Sequence, residues 1–317
     1  MKLRAFLISI ALALSFTSTA EAVTKPIKVL PVQPNLITNL SGSKGDQISA
    51  ITSATAQIIL VGTLESTTTS VLNNSSALGG SDGFITSLSP TGDHLWDLRL
   101  GGATDDIACA LVRDKTGSIW IAGASAKPTA APTTPVPDTS SINIDAIDVD
   151  PISIPSNTLT QIILWKVSLL GQLQATYTYD FGGFVAPNSL AFDGTNFTIG
   201  GVLENQSFSL KVSELGEFSK LIKTNVKKES PVSIQTLKAG TGTMKSFISK
   251  TAITGIPSWK PKSPIPVLIE YNKAKAITRA SYFKGKVIAV TWQAGIGPIV
   301  ITELSEGYGI NILGLAK

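Results

Sequence analysis

A two-part phrase returns five times along this 317-residue chain. One part is a short β-rich run that mostly ends near a glycine; the other is a second β-rich run that passes through a Ser or Gly turn. The fullest copy reads Asp82-Gly-Phe-Ile-Thr-Ser-Leu-Ser-Pro-Thr-Gly-Asp-His-Leu-Trp96, continues as Leu100-Gly-Gly-Ala-Thr-Asp-Asp106, and closes on Ser118-Ile-Trp-Ile-Ala-Gly123. Helical spacing is nearly absent, and apolar residues alternate over short runs bounded by Gly, Ser, Asn, Asp and Pro. A unit of roughly 40 to 60 residues holding four short strands is the signature of a propeller blade. The expected fold is therefore an all-β β-propeller of five blades, or six if one copy has diverged beyond recognition, in a single domain over residues 23–317.

Aligned copies predict second strands around residues 58–62, 119–123, 197–201, 246–249 and 287–290. Third strands follow around 84–88, 163–167, 208–212, 267–271 and 299–303. First strands are expected at 47–51, 107–112, 188–192, 232–237 and 280–283, and fourth strands at 95–100, 175–181, 218–223 and 310–313. The segment Leu36-Ile-Thr-Asn-Leu-Ser-Gly42 reads as a fourth strand with its turn, yet it precedes the first blade. Paired with the last blade it would close the ring and remove two open edges; the alternative is a free extension.

Residues Asp82 to Ser125 resemble the bacterial SBBP-type β-propeller repeat. The matching positions are Asp82, Phe84, Leu88, Gly92, Leu100, Gly101, Gly102, Asp106, Ala108, Asp114, Gly117, Ile119 and Gly123. The match is partial at 41–62 and 181–201 and fades after Lys220. The resemblance implies an extracellular propeller and carries no catalytic residues. Gly92-Asp-His-Leu-Trp96 also has the cadence of a quinoprotein-type repeat, but in one copy alone, so neither pyrroloquinoline quinone nor any other cofactor is expected.

The first residues read as an export signal: Lys2 and Arg4 precede the apolar run Ala5 to Phe16, and Ala20-Glu21-Ala22 forms a small-residue cleavage site. The run is shorter than the ~20 residues that span a bilayer, and no later stretch reaches that length. Cleavage after residue 22 leaves a secreted or extracytoplasmic chain with no transmembrane segment. Its net charge, +4 for the whole sequence, is too mild to imply a polyanion partner, nucleic acid included. The charge is uneven, however: Lys211 to Lys286 is rich in lysine, and residues 41–193 are mainly acidic. That asymmetry gives either a solvated surface or a weak preference for anionic glycan or cell-wall polymer. The lone cysteine, Cys109, sits in an alternating apolar run and should be a buried, inert thiol.

Three connections between second and third strands are long, at about 64–81, 124–160 and 251–266. Loops of that length in a compact domain are usually functional or disordered, and they share one face of the propeller. The 124–160 insert joins a Pro/Thr-rich tract to an acidic one in which Asp145, Asp148 and Asp150 are weak calcium candidates. In the third loop, Trp259 stands among prolines beside Lys260 and Lys262, an aromatic able to stack on a sugar or anchor a protein. Trp292 is its expected companion on the same face. Gly79-Gly-Ser-Asp-Gly83 fits the letters of a nucleophile elbow but lacks the strand-to-helix context, and His94 is the only histidine. The leading expectation is a non-enzymatic scaffold presenting a loop-rich face to a protein or glycan at the cell surface. The alternatives are a glycan-processing enzyme with paired carboxylates at the axial channel and an envelope-assembly scaffold acting by strand addition.

Overall fold

Period-two alternation between turn-forming residues gives strands, and a computed structural model shows twenty-one of them with no helix among the described residues. Those residues are 26–32, 34–41, 45–65, 72, 76–127, 158–225, 235–283, 285–303 and 309–315. Strands β1 (Val29–Pro31) and β2 (Pro34–Ser41) precede the first blade. Blade 1 is β3 (Gln47–Ala54), β4 (Gln57–Leu64), β5 (Asp82–Leu88) and β6 (His94–Leu100). Blade 2 is β7 (Asp106–Arg113), β8 (Ile119–Ala126), β9 (Leu159–Val167) and β10 (Leu173–Asp180). Blade 3 is β11 (Val185–Phe192), β12 (Asn196–Leu203), β13 (Gln206–Ser213) and β14 (Ile222–Asn225). Blade 4 is β15 (Gln235–Ala239), β16 (Gly242–Ser249), β17 (Ile265–Tyr271) and β18 (Ile277–Tyr282).

The fifth blade draws on both ends of the chain. Its order is β19 (Lys286–Gln293), β20 (Gly297–Glu303), β21 (Gly309–Leu315) and then β2, antiparallel from Pro34↔Leu315 to Ser41↔Gly309. The N-terminal strand thus closes a five-bladed ring, and β1 runs parallel along the outer edge of β18. Two edges that would otherwise template aggregation are covered.

Two stretches differ from expectation: the fourth strand of blade 3, expected at 218–223, runs Ile222–Asn225, and the fifth blade begins later. Residues 280–283, expected to begin the fifth blade, end the fourth: β18 pairs with β17 from Val267↔Tyr282 to Tyr271↔Ile277. Each later strand consequently moves one place inward, so the run expected to be second (287–290) is the innermost strand β19, and the run at 310–313 is the third. A blade completed by the N-terminus takes only three strands from the C-terminal end.

The recurring glycine has a packing cause. At Gly62, Gly123 and Gly201 an added Cβ would collide with an inner-strand carbonyl (Gln47, Ile107 or Ala186) and with a third-strand ring (Phe84, Trp165 or Phe208). The inner strands β3, β7 and β11 bulge close to these glycines, at Ile48/Ala50, Ala108/Ala110 and Pro187/Ser189. Only glycine admits so close an approach of backbone and ring.

Apolar clusters bind four of the five seams. Leu60 and Phe84 meet Ile299 and Ile301 between blades 1 and 5; Ile85 meets Ile121 and Trp165 between 1 and 2. Trp120 and Leu164 meet Phe197 and Leu210 between 2 and 3, and Met244 and Leu268 meet Val290 and Val300 between 4 and 5. Among the described residues no such cluster joins blades 3 and 4. The reason is in the alternation: β12 and β13 turn Phe197, Ile199, Phe208 and Leu210 toward blade 2, leaving Thr198, Gly200, Ser207, Ser209 and Lys211 for the other side. Blade 4 covers much of its own facing surface instead, with Ile253, Ile256 and Trp259 from the β16–β17 connection and with Val29 of β1.

Candidate functional site

The face of blade 4 turned away from blade 5 holds a groove. On β16, Met244 faces blade 5, so its neighbours Thr243, Lys245 and Phe247 face blade 3. At one end a cavity of about 600 Å³ is lined by Lys238, Lys245, Lys273 and Lys275, with Thr243 and Tyr271. A second, of about 520 Å³, continues past Phe247 to Lys250 and Thr251 and shares Lys245 and Tyr271 with the first. The two follow β16 from the β15–β16 and β17–β18 turns to the start of the β16–β17 connection. Four ammonium groups around one cavity repel one another, and a multivalent anion converts that repulsion into attraction. None of the four forms an ion pair with a described carboxylate. Lys245 Nζ lies 5.5 Å from the Tyr271 ring centroid, and burial pushes the Tyr271 phenol up, keeping it a neutral donor.

The β17–β18 turn supplies Lys273 and Lys275, and it departs from its repeat. In blades 1 to 3 the matching turn begins with serine: Ser89, Ser168 and Ser213. Each Oγ accepts two turn N–H groups, at 3.2 and 3.0 Å from Thr91 and Asp93, 3.3 and 3.1 Å from Leu170 and Gln172, and 3.2 and 3.1 Å from Leu215 and Glu217. The fourth residue is Gly92, Gly171 or Gly216, at φ 95°, 79° and 82°. Blade 4 keeps the backbone pattern with Asn272, whose Oδ1 accepts Ala276 N–H at 2.9 Å, but puts Lys275 in the glycine's place at φ 63°. A left-handed lysine costs about 1 kcal/mol that glycine avoids, and non-glycine strain of this kind concentrates at functional sites.

The residues expected to form a ligand face are divided between two ends of the fold. Trp259 lies on the β16–β17 connection as expected but is half-buried: its Nε1–H donates to Ser249 Oγ at 2.9 Å, and its ring leans on Tyr282 at 5.5 Å. Lys260 and Lys262 beside it are exposed. Trp292 belongs to the opposite end, which corrects the expected pairing. It is near the close of innermost strand β19, next to the β19–β20 turn, and packs near Gly240 of the β15–β16 turn. Antiparallel order places first-to-second turns at the end opposite the second-to-third connections. Asp145, Asp148 and Asp150 lie outside the described residues, as does the export segment. Among the described residues no group of three or more His, Cys, Asp or Glu side chains could hold a metal ion, and no helix is long and apolar enough to cross a membrane.

The elbow-like letters at 79–83 do not assemble a catalytic triad. Ser81, held by Asp105 Oδ1 at 2.8 Å through its N–H, precedes β5, whereas His94 follows its far end, about 24 Å away along seven residues. His94 Nε2 instead contacts Asp97 Oδ2 at 2.8 Å, too poorly aligned for a hydrogen bond. Of the five inner strands only β7 carries an acid, Asp106. It is buried, accepts Gly102 N–H at 2.8 Å, and is pushed up by desolvation and by Asp82 and Asp105 nearby. Cys109, expected to be buried, is half-buried, and desolvation pushes its thiol up to about 12.

No family model matches the chain, and no curated protein matches it. Among solved structures it is similar to glutaminyl cyclase of Myxococcus xanthus, at 9% identity over 90% of this chain and 100% of that one, with a TM-score of 0.39. It is also similar to a protein of unknown function from Bacteroides caccae, at 8% identity over 86% and 84%, with a TM-score of 0.35. The Dos1 propeller gives 8% identity over 86% and 69%, with a TM-score of 0.34.

The groove residues were not anticipated. Lysine enrichment is visible, fourteen lysines and one arginine against four glutamates over 211–286, but lysines from three separate stretches converge only after the strands pair. The clearest signal available was the turn alignment, in which Asn272 and Lys275 stand where three other blades have Ser and Gly.

Proposed function

We propose that the chain is an extracytoplasmic binding scaffold, related to the SBBP-type repeats, that holds an acidic partner in the groove along β16 of blade 4. The observation that carries this reading is the convergence of Lys238, Lys245, Lys273 and Lys275 on one cavity on the face of blade 4 turned away from blade 5. An enzyme hydrolysing glycans at the axis needs two convergent carboxylates, and the inner strands offer only Asp106. Strand addition at an open ring is disfavoured because β2 occupies the edge of β21.

The test is titration of the purified protein with anionic polymers and with neutral dextran. Anionic polymers bind, the affinity falls with added salt, and Lys245→Glu together with Lys273→Glu weakens binding by about tenfold per reversed charge, roughly 1.4 kcal/mol each. Lys260→Glu, on the loop side, leaves it unchanged. Binding abolished by Lys260→Glu but not by the groove variants would move the ligand to the loop face.

A further inference from the structure

The groove's chemistry narrows the class of ligand, an inference that rests on the binding role proposed above. Its positive groups are all lysine; the described lining contains no arginine, whose planar fork is favoured where phosphate is read bidentately. Hydroxyls of Thr241 and Thr243 stand among the lysines of the first cavity, and those of Thr251 and Thr254 beside Lys250 in the second. A hydroxyl both donates and accepts, which suits a ligand that carries hydroxyls as well as charge. Single-stranded nucleic acid requires open aromatic faces for its bases, and the ring in the shared part of the groove, Tyr271, already has Lys245 over it. A peptide gains most of its affinity from anchor side chains seated in pockets, and the half-buried Phe247 is a wall of the groove rather than a hole. The groove is also extended, following the eight residues of β16, about 27 Å.

We infer that the ligand is a linear acidic polysaccharide laid along β16, its carboxylates on Lys238, Lys245, Lys273 and Lys275 and its hydroxyls on the intervening threonines, with Lys275 as the anchor at the turn end. The same turn is built with glycine in three other blades, so the fold does not require lysine at 275, and the lysine lines the first cavity.

Calorimetric titrations with three polyanions test this: an oligogalacturonide long enough to span β16, poly-L-glutamate of equal charge, and polyphosphate. The oligogalacturonide binds at least about tenfold more tightly than either of the others. Lys275→Gly lowers that affinity about tenfold while the melting temperature is unchanged or raised. Equal affinity for poly-L-glutamate, or tighter binding of polyphosphate, with both lost in Lys245→Glu, overturns the polysaccharide assignment and leaves the groove as the binding site. Absence of binding by every polyanion overturns both. A Lys275→Gly variant that binds like the parent removes the anchor.

Discussion

Cutting the chain back to Gly45 abolishes cooperative folding: the truncated protein should lose its sharp thermal transition and bind a hydrophobic dye. Strand β2 contributes seven paired residues to the edge of β21, at about 1 kcal/mol per hydrogen bond. Its Leu40, 5% exposed, is buried with Phe84, Ile299 and Ile301, and a side chain of that size contributes about 2 kcal/mol on burial. Together these approach the ~5–15 kcal/mol that holds a whole domain. The missing strand also uncovers β21 in a ring that can no longer close. Because Pro34 lies opposite Leu315, residues 34–41 can be moved behind the C-terminus through a short turn, and that permutant should recover the transition. A truncated chain that melts like the parent would show that closure does not hold the ring.

The second large effect is at Trp120. Its ring is fully buried in the seam between blades 2 and 3, 4.2 Å from the Phe197 ring and 5.9 Å from that of Tyr177, with Lys166 Nζ 5.1 Å from its centroid. Trp120→Ala removes this filling and should destabilise by about 3–5 kcal/mol in chemical denaturation. Trp120→Phe keeps most of the volume but loses the Nε1–H bond to Asp114 Oδ2 at 2.9 Å, for about 1–3 kcal/mol. Burial by itself would raise Asp114, but hydrogen bonds from Trp120, Thr116 and Ser118 outweigh it and hold the carboxyl below its ordinary 3.8. A depressed carboxyl contributes stability that is present above 3.8 and lost as pH falls through the lower folded value. The gap between parent and Trp120→Phe should therefore narrow in acid below 3.8. A gap constant with pH would mean that the bond to Asp114 contributes nothing.

The sequence disclosed those parts of the fold that local chemistry decides. Alternation and turn residues are local, so blades 1 and 2 and the first three strands of blade 3 are legible in the sequence, and Leu36 to Gly42 can be read as the closing strand from its likeness to the end of a blade. Pairing is not local. Residues 280–283 have the same pattern whether they end blade 4 or begin blade 5, and that single choice carried Trp292 to the wrong end of the molecule. The groove was hidden for a related reason. Lys238, Lys245, Lys273 and Lys275 sit on two strands or their turns, and which side of β16 they occupy depends on Met244 packing toward blade 5. Only Lys275 was written in the sequence in usable form, as the exception in a turn that elsewhere reads Ser-x-x-Gly.

Amide hydrogen exchange with and without a bound oligogalacturonide tests most directly whether the groove along β16 is the binding site. Protection should appear in β16 and in the turns at 240–241 and 272–276, with residues 258–262 unchanged. Protection confined to 258–262, or spread along the long connections of the opposite end, would contradict it.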